Sequence, residues 1–505
     1  MRILIFSAYN DFSAIESAYT QLQLGNDVTV LLCDKSSRIC MHNFYGSNSV
    51  CLLCHRGMKR AWKNSGLLDK VKIKDLSSFI TNKDKEFAEI FDLNYNSIEE
   101  LKALDYKGTE VGYGAFSSYV SITRNAMPNI TEEFKRYINF MIRKEIELHE
   151  ALERYIYSEK PELIIFHNGR FSNYKPFLCL SQKHKINFIA TEHTWQEGKL
   201  LKNFFYNNTP HELKPIIERM RENWEKGKLK EDVEKLGKEF YERRRKGLAA
   251  GDVVYTAAQL KGKLPVGWDA TKENIAIFNS SEDEFCAVSK KFDTYLLFPT
   301  QYDALKSIFE HYKNDSNKHF YVRIHPNLKN VPFKSHLKLY ELEYPNVTFI
   351  RPESQISSYD LMDVSSKILI FNSTIGIEAT YWRKPVIALT YFYYSELDAV
   401  YTPKNENELW QFIDNKDLKD KYNHDVILYG YYLYKYNLPP IEFVKYKKMD
   451  FSILGKKICE FSIMKICGSY RVLPFIDRFQ HKISSFLPGK VFKSIPGQEA
   501  YNGEY

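Results

Sequence analysis

Residues 366–389 read SKILIFNSTIGIEATYWRKPVIAL. An apolar strand is predicted from Ile368 to Phe371, and it stops at Asn372-Ser373-Thr374. A helical stretch then opens with Gly376 and carries Glu378, and Lys384-Pro385 turns the chain into a second apolar strand, Val386 to Leu389. Strand, helix and strand in that order make one βαβ unit of a parallel sheet. Its chemical content sits at the turn. A helix start presents free backbone N–H groups and a partial positive charge. The Ser373 and Thr374 hydroxyls add donors, and a glycine at 376 lets a ligand approach the backbone. Such a turn is suited to phosphate.

Upstream, YVRIHPN places Arg323 and His325 at the end of another predicted strand. Taken singly, Asn-Ser-Thr before a helix is an N-cap and Arg-x-His-Pro is a turn. In this order within one α/β half they point to a site for a nucleoside mono- or diphosphate. The run Arg323-Ile324-His325-Pro326, followed by Ser373-Thr374-Ile375-Gly376-Ile377-Glu378-Ala379, resembles the signature of bacterial capsular-polysaccharide and lipopolysaccharide glycosyltransferases of the GT-B fold, relatives of the Kdo, sialic-acid and glycerophosphate transferases. The resemblance covers residues 250–430 well and the N-terminal half more loosely. It implies an α/β architecture of two facing doubly wound Rossmann-like domains with a deep cleft between them.

Bulk properties bound the reading. A chain of 505 residues holds at least two domains. Its 44% hydrophobic and 27% charged residues are ordinary for a globular protein, whereas 36 Tyr and 34 Phe are many. That aromatic richness fits a sugar-handling surface or genome composition. No apolar run reaches eighteen residues, so no membrane-spanning helix is expected. MRILIFSAYN is too short for a signal peptide and reads as a first buried strand, which makes the expected location cytoplasmic. The net charge is +8, and residues 446–505 hold ten basic against five acidic residues interleaved with aromatics such as Phe461, Phe475 and Phe492. Such a segment either lies on the anionic inner face of the plasma membrane or packs back on the body. No nucleic-acid module accompanies the basic residues, so no nucleic-acid partner is expected.

The chain shows no repeat and no low-complexity linker. It opens as strand, helix and strand, with Gly25-Asn26 ending the helix, and lacks G-x-G-x-x-G at the first turn. A long amphipathic helix is predicted over 132–158, followed by the strands LIIFHNG and INFIATEHT. Residues 212–247 are dense in mixed charge and read as one or two exposed helices dividing the chain. Seven apolar strands are then expected: DVVYTAA, NIAIFNS, TYLLFPT, HFYVRIHP, NVTFI, KILIFNS and PVIAL. The expected domains are therefore 1–245, an acceptor-side domain with a cysteine cluster and a charged helical linker; 250–430, the donor-binding domain; and 431–505, C-terminal helices with the basic aromatic tail.

Four of the eight cysteines, Cys33, Cys40, Cys51 and Cys54, fall within twenty-two residues, with His42 and His55 beside them. Cys51-x2-Cys54 is a metal-ligand spacing, and four thiols complete a tetrahedral structural zinc site; buried thiols are the alternative. A fully ligated ion leaves no open position, so no catalytic metal is expected. In the segment Phe278 to Phe285, Ser281 and Glu284 read as a capping box. The resemblance makes the same loop part of the donor site, with Ser280 and Ser281 as donors to phosphate or leaving sugar.

Polar groups also cluster at N-terminal strand ends: Asn10-Asp11, His167-Asn168-Gly169-Arg170 and Glu192-His193. Inverting sugar transfer needs a base for the acceptor hydroxyl. Glu192 is the first candidate, then His193, with His167 and Asp11 behind them; Asn10 and Asn168 share the acceptor wall, and Arg170 suits an anionic group.

The resemblance thus implies a glycosyltransferase acting from a nucleotide-sugar donor on a lipid-linked or oligosaccharide acceptor of surface-glycan assembly. Arg323 and His325 would stabilise the departing nucleotide, Asn372, Ser373, Thr374 and Gly376 would hold its phosphate, and Glu378 would orient its ribose or sugar. Two rivals remain: a nucleotide-sugar 2-epimerase of the same fold, and a non-catalytic zinc-bearing assembly or nucleic-acid-binding protein.

Overall fold

The structure, a computed structural model, describes residues 1–8, 12–196, 199–229, 232–248, 250–251, 254–294, 297–329, 334–436, 444–447, 450–453, 456–459, 491–492 and 494–497. Chain contacts divide it into two compact units. The first holds Met1–His193, Lys199–Pro210 and Leu438–Asn502; the second holds Thr194–Gly198, His211–Asn437 and Gly503–Tyr505.

The sheet of the first unit is made of β1 (Arg2–Ser7), β2 (Asp27–Leu32), β3 (Lys72–Asp75), β4 (Leu163–His167), β5 (Asn187–Gln196) and β6 (Lys199–Tyr206), in the order β3-β2-β1-β4-β5-β6. Strands β1 to β5 run parallel. RILIFS and DVTVLL are continuous apolar runs because helices cover both faces of such a sheet. Ile3, Ile5, Val28, Val30, Leu32 and Ile165 form one core with Ala14, Ala18 and Trp62 from two flanking helices. Each such aliphatic side chain contributes about 1.5–3 kcal/mol on burial. The chain moves outward from β1 to β2 and β3, then returns to lay β4 on the other side of β1. The strand order therefore reverses between β1 and β4, where open α/β sheets bind ligands.

The second unit repeats this wiring. Strands β7 (Glu273–Phe278), β8 (Lys318–Arg323), β9 (Val347–Ile350), β10 (Lys367–Ile370) and β11 (Val386–Ala388) are all parallel, in the order β11-β10-β7-β8-β9. Phe278 is level with Arg323 on one side and with Ile370 on the other, so the turns after β7, β8 and β10 open at the same end. Among the described residues five strands form where seven were expected. Of the two missing runs, the described residues of 252–258 are irregular chain or turn, and residues 297–300 form a bend into a helix. Both sides of β7 are already taken, and a short apolar run buried as a loop has the same pattern as a strand.

The charged stretch 212–247 is not a divider. Its helices, Lys214–Glu225 and Val233–Arg245, belong to the second unit. The second lies backbone to backbone against the helix His424–Tyr431: a Cβ on Gly430 would stand 2.5 Å from the Gly237 carbonyl oxygen. Tyr241 donates to the Val426 carbonyl at 2.6 Å, and Arg221 pairs with Asp425. One face of each helix is thus buried under an otherwise wet, mixed-charge surface.

Residues 431–505 are likewise not one appendage. Tyr432–Tyr436 stays with the second unit, whereas the antiparallel strands β12 (Val444–Lys447), β13 (Asp450–Ile453) and β14 (Lys456–Cys459) belong to the first. Phe492 is buried in the first unit against Tyr137 and Phe140, and Tyr119 donates to the Pro496 carbonyl at 3.0 Å. Most of the remaining tail lies outside the described residues. No helix among the described residues is long and apolar enough to cross a membrane.

Candidate functional site

A pocket of about 60 Å³ lies at the reversal point of the second sheet. It is lined by Phe278 and Asn279 after β7, Arg323, His325 and Pro326 after β8, Ser373, Thr374 and Ile375 after β10, Glu378, and Arg244, Tyr255, Gln259 and Tyr359 from outside the strand ends. Arg323 and His325 therefore meet Ser373, Thr374 and Glu378 in space, as the two motifs imply.

The contacts refine these roles. Arg323 is 2% exposed; its Nη1 donates to the Arg351 carbonyl at 2.7 Å and its Nη2 to the Ser354 carbonyl at 3.0 Å, while Nε has no partner among the described residues. Burial lowers its pKa to about 10, so it remains cationic at neutral pH. His325 caps the turn Pro326–Leu328, its Nδ1 lying 3.2 Å from the Asn327 backbone nitrogen and 2.6 Å from the Asn327 Oδ1. Burial lowers the imidazole to about 4, so at neutral pH it acts as a neutral group. Tyr255 stands edge-on to this ring.

Glu378 is 2% exposed, and both of its oxygens are engaged. Arg244 Nε donates to Oε1 at 3.0 Å, and the Tyr359 hydroxyl donates to Oε2. Arg244 also reaches the Thr374 hydroxyl at 3.4 Å and the Ala250 carbonyl at 3.4 Å. The carboxylate thus holds an arginine at the pocket wall. With two guanidiniums and this one carboxylate on its lining, the pocket carries net positive charge.

Other expected donor residues are placed differently. Gly376 serves packing: a Cβ there would strike the Tyr394 hydroxyl and stand 2.9 Å from Ile370 Cδ1. Tyr394 in turn donates to the Ser373 carbonyl. Asn372 is tied to Thr390, which accepts from its N–H at 3.1 Å and donates to its side-chain oxygen at 2.6 Å. Ser280 and Ser281 are buried and are not on the pocket lining. No capping box forms, because Ser281 turns its hydroxyl to Asp283 and gives no side-chain cap. Their neighbour Asn279 supplies the contact instead: its Oδ1 accepts from the His325 N–H at 2.7 Å, and its Nδ2 is buried without a partner among the described residues. Sequence reasoning missed Asn279, Arg244 and Tyr359. Only Asn279, first after an apolar strand as Asn372 is, carried a signal.

In the first unit, His167 at the end of β4 and Glu192 on β5 come together, Nε2 to Oε1 at 3.8 Å, and Asn168 donates to the other Glu192 oxygen. Asn168 adopts a left-handed φ of 55°, which turns the chain between strand and loop. Arg170 is directed away, its Nη2 donating to Ser121 at 3.1 Å and its guanidinium stacked over Phe171. Asn10, Asp11 and the His193 side chain lie outside what the structure describes.

Beside His167, at the reversal point of the first sheet, is a cavity of about 200 Å³. Cys33, Cys40, Cys51, Cys54, His42 and His167 all line it, with Met41, Val50, Phe171 and Tyr174. Burial raises the Cys51 thiol to about 11 and lowers His42 to about 3, so these two groups are uncharged, while Lys35 and Arg38 also line the cavity. The thiols are not drawn together as around one zinc. Among the described residues, only His149, Glu150 and Glu153 form a group of three such ligands within 4.8 Å of one another. Lys107 and Lys183 already pair with those two carboxylates.

No protein-family profile matches the chain, and no curated protein matches it. Among solved structures it is similar to the beta Kdo 2,4 transferase KpsC of Thermosulfurimonas dismutans, at 12% identity over 62% of this chain and 88% of that one, with a TM-score of 0.36. It is similar to the beta Kdo 2,7 transferase KpsC of the same organism, at 12% over 65% and 90%, TM-score 0.32. It is also similar to the UDP-GlcNAc 2-epimerase of Neisseria meningitidis bound to UDP-GlcNAc, at 13% over 85% and 98%, TM-score 0.24. At such scores these likenesses carry no argument about chemistry.

Proposed function

We propose that the chain is a glycosyltransferase that moves a sugar from a nucleotide-activated donor onto a growing capsular or lipopolysaccharide glycan. One observation carries this reading: Arg244, Arg323, His325 and Asn279 converge on one pocket at a sheet reversal, and its single lining carboxylate is neutralised from within. That pocket suits the donor phosphate, where cationic and N–H donors stabilise charge developing on the departing nucleotide. Glu192, hydrogen-bonded by Asn168 and beside His167, is the group we assign to deprotonate the acceptor hydroxyl. An acceptor on the cytoplasmic face of the membrane fits the basic composition of residues 446–505.

The test is calorimetry of the full chain with CMP, UDP and GDP, followed by product analysis with the matching nucleotide sugar and surface-glycan acceptors. One nucleotide should bind, and Arg323→Gln should abolish that binding. Binding of none would remove the donor reading. A free epimerised nucleotide sugar as product would assign the chain to the epimerases instead.

A further inference from the structure

The four thiols of the first unit's cavity are not used by the proposed transfer, although His167 on the same wall stands beside Glu192. The loop that builds it is held in a costly conformation. Lys35 and Arg38 adopt left-handed φ values of 100° and 57°, which non-glycine residues avoid unless their surroundings impose them. Those surroundings are visible. Asp34 accepts from the Ser77 N–H at 2.9 Å, and Arg38 donates from Nε at 3.1 Å and Nη2 at 2.8 Å to the Gly46 carbonyl. Asn43 closes onto Ser47 in both directions, and Tyr137 donates to the Phe44 carbonyl at 2.8 Å. This pinned loop brings Cys33 from the end of β2 and Cys40 to the cavity, facing Cys51 and Cys54 on the first turns of the helix Asn48–Ser65.

Spacing decides which occupant suits the four sulfurs. Around one tetrahedral zinc, Zn–S bonds of about 2.3 Å place the sulfurs about 3.8 Å apart. No three of these thiols lie within 4.8 Å of one another, and the space they line measures about 200 Å³. A cluster of several metal atoms binds each thiolate through a different corner, so its sulfurs stand wider apart than around one ion. Iron–sulfur clusters are held by four cysteines and are tuned by hydrogen bonds to the cysteine sulfurs. Such a bond is present, from Asn43 Nδ2 to Cys51 Sγ at 3.1 Å. Asn43 is itself 2% exposed and fixed by Ser47, so this donor is preset.

We propose that Cys33, Cys40, Cys51 and Cys54 ligate an iron–sulfur cluster in this cavity. The site is independent of the nucleotide pocket and belongs to the first unit alone.

The full-length chain, purified without oxygen, tests it. Iron and acid-labile sulfide should be present in near-equal amounts, with a visible sulfur-to-iron charge-transfer absorption. Cys40→Ser and Cys51→Ser should each lose most of that absorption, while Cys179→Ser, a buried thiol outside the cavity, should retain it. If the first two variants fail to fold, wild-type protein answers alone. Stripping its metal with an oxidant and a chelator, then reducing it, should make four further thiols reactive to a maleimide. A single zinc without sulfide would overturn the cluster. Absence of bound metal, with an unchanged thiol count after chelation, would overturn the site itself.

Discussion

Arg244 Nε lies 3.0 Å from Glu378 Oε1, and both side chains are buried, Arg244 at 9% exposure and Glu378 at 2%. The two residues come from elements far apart in sequence, and neither charge has open water around it. A buried pair of this kind contributes little net stability, but loss of one member leaves the other charge uncompensated.

Arg244→Ala should therefore destabilise the second unit by about 3–5 kcal/mol. The double substitution Arg244→Gln with Glu378→Gln removes both charges and should recover most of that loss. It should still fail to bind nucleotide. Denaturant titration of the three proteins, with calorimetry on those that fold, separates the stabilising role from the binding one.

His325→Ala is the cleaner probe of transfer, because Arg323 also holds the turn at Arg351 and Ser354. Losing a donor aimed at developing charge costs about 3–4 kcal/mol of transition-state stabilisation, or roughly 10²–10³ in rate. Turnover should fall by that factor while the denaturation midpoint moves little. Near-normal turnover would remove His325 from the donor site.

Gly376→Ala should destabilise by about 1–3 kcal/mol through overpacking against Tyr394 and Ile370. Tyr394→Phe removes the hydroxyl in the way, and in that background the alanine should cost less. A double-mutant cycle by chemical denaturation gives the coupling.

Glu145, on the helix Glu132–Glu159, is 1% exposed, and neither carboxyl oxygen has a hydrogen-bond partner among the described residues. Burial raises its pKa well above the ordinary value. The neutral acid is therefore favoured in the fold. Its contribution is intact below the unfolded pKa of about 4.3 and is lost as pH rises toward the folded value. Glu145→Gln should leave stability unchanged near pH 4 and raise it above pH 7, flattening the pH profile. His149 on the same helix works in the opposite direction. Burial lowers it to about 4, so its contribution is intact above about pH 6.5 and is lost as pH falls.

The βαβ order around Asn372 to Glu378 was legible because an apolar strand, a turn and a second strand leave few alternatives. The meeting of Arg323 and His325 with Ser373 and Thr374 followed from strand ends opening together. Arg244 was not legible: it lies in GKEFYERRRKG, where its neighbours are charged and wet, and only packing on 424–431 distinguishes it. Nor was Gly376, whose reason is a tyrosine eighteen positions away in sequence. For the cysteines, sequence density revealed the grouping but not the width of the space between them.

The close contact of Gly237 with the helix His424–Tyr431 has a consequence for how this protein can change. Two turns further along Gly237's own helix is Arg244, so a shift of that helix would carry the arginine of the pocket wall with it. A methyl group at 237 or 430 would meet backbone at 2.5 Å or closer and force a shift between the two helices without altering any residue on the pocket lining. Variants selected for a different donor should therefore arise at these two glycines as well as at the pocket, acting by remote adjustment of reach.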